Sequence, residues 1–253
     1  MNEITAVWQS QTPYLWALAF FAVFLLGISK AGLKGIDILI VTILVLVFGA
    51  KPSSGVLLPL LCLGDAIAVI YYRRHVNWQH LFTLLPWMVA GVLLGVWVGN
   101  EIDEATFKKI MAAIIVLAIV TMLFNEMRKS TSIPKNKSLA AVLGLSAGFT
   151  TMLGNLAGPF ANLYFLMMRF DKNAFIGTAA WLFLFINLFK LPFHLFVWQT
   201  ITRPTSFISL LLIPILLVGF MAGIKIVAFI KTDNYRKIII ALTLLGACVI
   251  LFS

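Results

Sequence analysis

Apolar residues in this chain gather into ten long runs, separated by short polar, charged or glycine-rich stretches. They cover 14–31, 36–50, 53–72, 80–99 and 106–124 in the first half, then 138–154, 156–169, 173–198, 206–230 and 235–253. Uninterrupted apolar runs of this kind predict membrane helices, each needing about 20 residues to cross the hydrocarbon core. Runs 36–50 and 156–169 fall short of that length and hold corresponding places in the two halves. Each follows a glycine-rich, polar approach, GISKAGLKGID in one half and GLSAGFTTMLGNLAGP in the other.

The halves also repeat each other weakly. Pro86, Gly91 and Gly95 in LLPWMVAGVLLG recur 128 residues later as Pro214, Gly219 and Gly223 in LIPILLVGFMAG, and the register continues from Phe107-Lys108-Lys109-Ile110 to Tyr235-Arg236-Lys237-Ile238. Five runs per half is an odd number. If all cross, equivalent runs point in opposite directions and a two-fold axis in the membrane plane relates the halves. The expected fold is an all-α integral membrane protein of two inverted repeats, 1–126 and 127–253, that together form one transmembrane domain. It has eight to ten membrane segments, eight if the two short ones are re-entrant.

Composition agrees with a bilayer as solvent. Mean hydropathy is +1.04 and 11% of residues are charged, too little polar surface to cover a water-soluble core. The opening MNEITAVWQSQTPY is polar, and the run after it leads into further membrane segments instead of a cleavage site. Cys62 and Cys248 sit inside apolar runs and read as packing residues, not as a disulfide or metal site. The formal charge of +10 lies in short loops, so membrane orientation explains it better than nucleic acid.

Lysine and arginine in short loops are retained on the cytoplasmic side. Alternate loops hold thirteen of them: Lys30 and Lys34; Arg73 and Arg74; Arg128, Lys129, Lys135 and Lys137; Arg169 and Lys172; Lys231, Arg236 and Lys237. The complementary loops hold four: Lys51, Lys108, Lys109 and Arg203. With ten crossings, both termini fall outside.

Non-helical backbone at membrane depth is tolerated only where it faces protein or a water-filled cavity. The two glycine-rich breaks, with Gly35 aligned on Gly154, therefore point to a substrate site. Half-helix N-termini expose free N–H groups suited to an oxyanion. Gly154, Asn155, Gly158 and Pro159 form the fuller example, with Asn162 one turn on and Thr150 and Thr151 just before. Close helix packing is the alternative reading of the glycines.

Asn187, Lys190 and His194 stand at i, i+3 and i+7 and share one helix face. An ammonium inside a bilayer persists mainly where it faces a pathway or a partner, so Lys190 is the leading candidate for pairing with an anion. Snorkelling to the outer interface is its alternative, and it is the favoured account of Lys225. Pro192 cannot bond the Leu188 carbonyl, which is left free for the same cavity. Asp65 is the lone acid well inside a span and corresponds to Asn187 once about six inserted residues are allowed. It is a candidate for proton coupling, for a structural hydrogen bond or for a salt bridge to Lys190. Asp37 reads as a helix cap.

No metal-protease, hydrolase or P-loop motif occurs, and no His or Cys pair has metal-ligand spacing, so no cofactor or metal is expected. The expected function is secondary transport of a small anion. Rival readings are a channel using the same basic pocket, an intramembrane enzyme limited to Asp37 and Asp65, and a non-transporting scaffold. Oligomeric state is open.

Four stretches carry a family resemblance: GISKAGLKGIDILI, VLLPLLCLGDAIAVIYYRRHVNWQHLFTLLPWMVAGVLLG, GLSAGFTTMLGNLAGPFANLYFL and FLFINLFKLPFHL. They resemble the TauE/SafE family over nearly the whole chain. That resemblance implies a duplicated protein of the bacterial inner membrane that moves sulfite, an organosulfonate or another small sulfur-containing anion.

Overall fold

A computed structural model describes residues 12–99, 137–231 and 234–242, and residue 245. Run 106–124, the start of the repeated Phe107 register, the 126/127 boundary, Cys248 and both termini lie outside the described residues.

The apolar runs become helices with identifiable start signals. Helix α1 (Pro13–Lys30) begins on a proline, whose missing N–H falls among the donors a first turn leaves unpaired. Next come α2 (Asp37–Phe48), α3 (Ala50–Tyr72) and a 3₁₀ turn at Arg73–His75. Helix α4 (Trp78–Val98) is capped by Asn77, whose side chain accepts from the His80 N–H. The second half supplies α5 (Lys137–Gly154), α6 (Gly158–Met167) and α7 (Lys172–Pro192), the last capped by Asp171 on two backbone N–H groups. Helix α8 (Arg203–Phe229) opens on a Thr202–Thr205 capping box, and residues 234–242 are helical. Helices α3 and α8 start a turn earlier than their apolar runs, because Pro52 and Pro204 are tolerated in a first turn.

Among the described residues, five helices are long and apolar enough to cross a membrane: Pro13–Lys30, Ala50–His75, Trp78–Val98, Lys172–Val197 and Arg203–Phe229. Helices α2 and α6 have 12 and 10 residues. At roughly 1.5 Å per residue they extend about 18 and 15 Å, half of a core about 30 Å thick.

The repeated glycines explain how the halves interlock. A Cβ on Gly27 would fall on the Leu216 carbonyl and one on Gly219 on the Phe24 carbonyl, so α1 and α8 touch backbone to backbone. The same relation recurs between α5 and α4, where Gly148 abuts the Met88 carbonyl and Gly91 abuts that of Leu145. One turn further on, Gly223 meets Ala31 and Gly95 meets Met152. Small residues permit such approach, and in lipid this close packing replaces the hydrophobic drive between helices. Each half thus lends its Pro-containing helix to the first helix of the other half. The two apolar cores follow this exchange, one built chiefly from α1, α2, α3 and α8, the other from α4 to α7. Helices α3 and α7 pack together between them. Large apolar side chains such as Leu46, Ile70, Trp97 and Phe229 face outward, as lipid contact requires.

Candidate functional site: two helix breaks around buried charges

Both short helices are preceded by a buried break in the backbone. Between α1 and α2 the chain turns through Gly32 and Gly35, at φ 128° and 102°, a region L side chains rarely enter. Between α5 and α6 the corresponding turn is made by Asn155 at φ 58°. Buried backbone freed from a helix must find partners. The Tyr72 hydroxyl donates to the Ala31 carbonyl over 2.8 Å, and Tyr235 donates to that of Gly32 over 2.5 Å. At the second break Thr150 Oγ1 donates to the Leu156 carbonyl, 3.0 Å.

Charged and amide side chains converge between the breaks. Lys30 Nζ donates to Asp65 Oδ1 at 2.7 Å, and Asn187 Nδ2 donates to the other carboxylate oxygen, also at 2.7 Å. Asp65, 0% exposed, is thereby bound on both oxygens. Asp37 Oδ1 accepts from Ser29 Oγ at 2.7 Å, while a Cβ added to Gly158 would crowd Asp37 Oδ2. Lys190, also 0% exposed, directs its ammonium at the second break. It donates to the Thr151 carbonyl and hydroxyl, each at 2.9 Å, and to Asn155 Oδ1 at 2.5 Å. The ammoniums of Lys30 and Lys34 stand 5.4 and 5.5 Å from the Phe183 ring centre, within cation–π range.

These groups line a cavity of about 20 Å³, slightly above the roughly 10–15 Å³ that one water needs. Its polar lining is Lys30, Lys34, Asp37, Thr151, Asn155 and Asn187, with Gly158, Ala157, Leu61 and Phe183 completing the wall.

Of the residues singled out from sequence, Asn155, Gly158 and Asn187 line the cavity. Lys190 and Asp65 bond to lining residues from behind. Gly35 and Gly154 belong to the break regions without lining the cavity. His194 and Asn162 are buried away from it. His194 Nδ1 pairs with Thr200 Oγ1 at 2.8 Å, whereas His194 Nε2 and both polar side-chain atoms of Asn162 have no partner among the described residues.

Several expectations change. Asp37 is not a cap: Ile36 takes the N-cap position without a side-chain bond, and the Asp37 carboxylate is held by Ser29. The salt-bridge partner of Asp65 is Lys30, not Lys190. Full burial excludes snorkelling for Lys190, while Lys225 is exposed. Leu188 is 48% exposed on the outward face and lines no part of the cavity. The helix passes Pro192 through a π turn at Phe193–Val197. Lys30 and Lys34 are buried site residues and not loop charges, which reduces the loop count to eleven against four. Their signal was present in GISKAGLKGID, where two lysines bracket a glycine turn. Leu61 and Phe183 carried no such signal.

An all-helical, multi-pass membrane protein with a charged cavity at paired helix breaks has the build of a membrane transporter. The family model described as sulfite exporter TauE/SafE matches residues 17–250, and the chain belongs to that family. No curated protein and no solved structure matches it.

Proposed function

We propose that the chain is a secondary transporter of a small oxyanion, sulfite or an organosulfonate, working by alternating access between two inverted repeats. The observation that carries this reading is the convergence of three buried lysines, Lys30, Lys34 and Lys190, on two buried helix breaks. Two carboxylates, Asp37 and Asp65, offset them, leaving one formal positive charge for a guest. Asn155 and Asn187 add neutral donors, and the start of α6 adds free backbone N–H groups.

The crossed packing supports the inverted repeat. Gly27 on Gly219 and Gly91 on Gly148 are two copies of one contact, each linking the first helix of one half to the Pro-containing helix of the other. The two apolar cores are then the bodies that rock, and the breaks lie between them. Ten segments with both termini outside, in a bacterial inner membrane, complete the proposed topology. Asp65 is the group proposed to take up a coupled proton.

The test is uptake of labelled sulfite, thiosulfate, sulfate and sulfoacetate into liposomes holding the purified protein, with and without a pH gradient. Saturable uptake accelerated by unlabelled anion on the opposite side is expected. Currents that rise without saturation and show no counter-transport would indicate a channel, and no uptake of any oxyanion would refute the reading.

A further inference from the structure

We propose that Lys34 is the ammonium that takes the transported anion, and that Lys190 is a positioning residue that shapes the second break. This rests on the oxyanion reading above. It reassigns the central role from the lysine that stands out in the sequence to one inside the first break.

The two lysines differ in what they have left to give. An ammonium has three donors. Lys190 directs them to the Thr151 carbonyl, the Thr151 hydroxyl and Asn155 Oδ1, and it is not part of the cavity wall. These bonds hold Asn155 in its left-handed conformation and fix the last turn of α5 to α7. An anion reaching Lys190 would have to break contacts that keep the site in shape.

Lys30 is committed as well, to Asp65. Lys34 is different. Its side chain is buried, with 2% relative exposure, and lines the cavity beside Asn155 and Asp37. No carboxylate among the described residues forms a salt bridge with it, and its ammonium stands over the Phe183 ring. A buried ammonium without an ionic partner costs several kcal/mol in desolvation, and an anion entering the cavity would supply what it lacks. The neighbouring Asp37, held on one oxygen by Ser29, limits the charge such a guest can bring.

The experiment uses the full chain in detergent and liposomes, with sulfite as probe, comparing wild type, Lys34→Met, Lys34→Gln and Lys190→Met. Two quantities are read: KM for uptake, and the thermal unfolding midpoint with and without sulfite. Losing a charge-assisted contact to the anion is expected to raise KM about tenfold or more in both Lys34 variants. Sulfite should no longer raise their midpoint. Without sulfite their midpoint should equal or exceed wild type, because the lost contact with the Phe183 ring is smaller than the desolvation cost relieved. Lys190→Met should lower the sulfite-free midpoint and keep the sulfite-induced rise.

Unchanged KM in the Lys34 variants would overturn the assignment. So would failure of both to fold, which would mean that the ammonium serves the structure. A Lys190→Met chain with a normal midpoint and no response to sulfite would overturn it too. Failure of the oxyanion reading itself looks different, since wild type would then neither transport sulfite nor be stabilised by it.

Discussion

Asn187 donates a 2.7 Å hydrogen bond to Asp65, and these are the two residues that the sequence repeat aligns once about six inserted residues are allowed. In the proposed inverted repeat, such a contact falls on the two-fold axis. Asp37 and Gly158 also touch, at the starts of the two short helices. In the proposed inverted repeat the centre of the molecule is then asymmetric in chemistry, acid facing amide and acid facing glycine. That asymmetry lets one cavity hold counter-charges without two carboxylates repelling each other.

The Lys30–Asp65–Asn187 cluster should behave as one unit. Asp65→Ala strands a buried ammonium and is expected to cost about 3–5 kcal/mol of stability. The double variant Lys30→Met with Asp65→Ala removes both charges and should recover much of that loss. Thermal unfolding in detergent checks both, and additive losses would show that the pair is not coupled.

Crossed glycine contacts make a second prediction. Gly148→Leu and Gly219→Leu each drive a side chain into a carbonyl of the facing helix. A backbone cannot yield as a side chain can, so each should cost at least the roughly 1–3 kcal/mol of ordinary overpacking. Fluorescence-detected size-exclusion profiles are expected to show loss of the folded peak. A similar leucine at Gly49, which has no close neighbour beyond Pro52, separates crowding from backbone strain.

Tyr72 and Tyr235 carry the first break. Tyr72→Phe removes the described partner of the buried Ala31 carbonyl, at about 1–3 kcal/mol, whereas Tyr235→Phe leaves the Gly32 carbonyl its bond from the Lys34 N–H at 3.0 Å and costs less; both loosen the turn that presents Lys34. Lower unfolding midpoints in both variants, larger in the double, are expected. No change would mean that the break is held by other contacts.

These predictions also mark what the sequence makes legible. Run lengths locate α2 and α6 as short helices, and the glycine-rich approaches place both breaks, because backbone chemistry is local. The Pro86/Gly91/Gly95 repeat announces close helix contacts, since glycine spacing on a helix face is a local signal too. The partners of those contacts are not local, and nothing in the repeat says that α4 leaves its own half to pack on α5. The site suffers likewise. Lys190 stands out because its neighbours are apolar, whereas Lys34 looks like one more loop charge until the turn through Gly32 and Gly35 buries it. Phe183 is one of 21 phenylalanines, and only the fold distinguishes it.

Orientation yields a direct labelling test. In a chain with Cys62 and Cys248 replaced, Arg74→Cys, exposed after α3, should react with a membrane-impermeant thiol reagent only from the cytoplasmic face. Arg203→Cys, exposed at the start of α8, should react only from the outside. Labelling of both from one face would exclude the proposed topology.

Charge should govern selectivity. With Lys30, Lys34 and Lys190 against Asp37 and Asp65, one negative charge completes the cavity, and a second is left uncompensated in a poorly hydrated site. Monoanionic sulfonates are therefore expected to compete with labelled sulfite about tenfold or more better than sulfate does, on the rule that about 1.4 kcal/mol is a factor of ten. Equal competition would mean that formal charge does not set the choice.

The most direct measurement is an experimental structure of the protein loaded with selenite, a selenium counterpart of sulfite whose anomalous signal marks its position. A single selenium peak between residues 31–36 and 155–157, within hydrogen-bonding reach of Lys34 and Asn155, is the expected result. A peak elsewhere, with the space between the breaks closed by apolar side chains, would contradict an anion site at the meeting of the two halves.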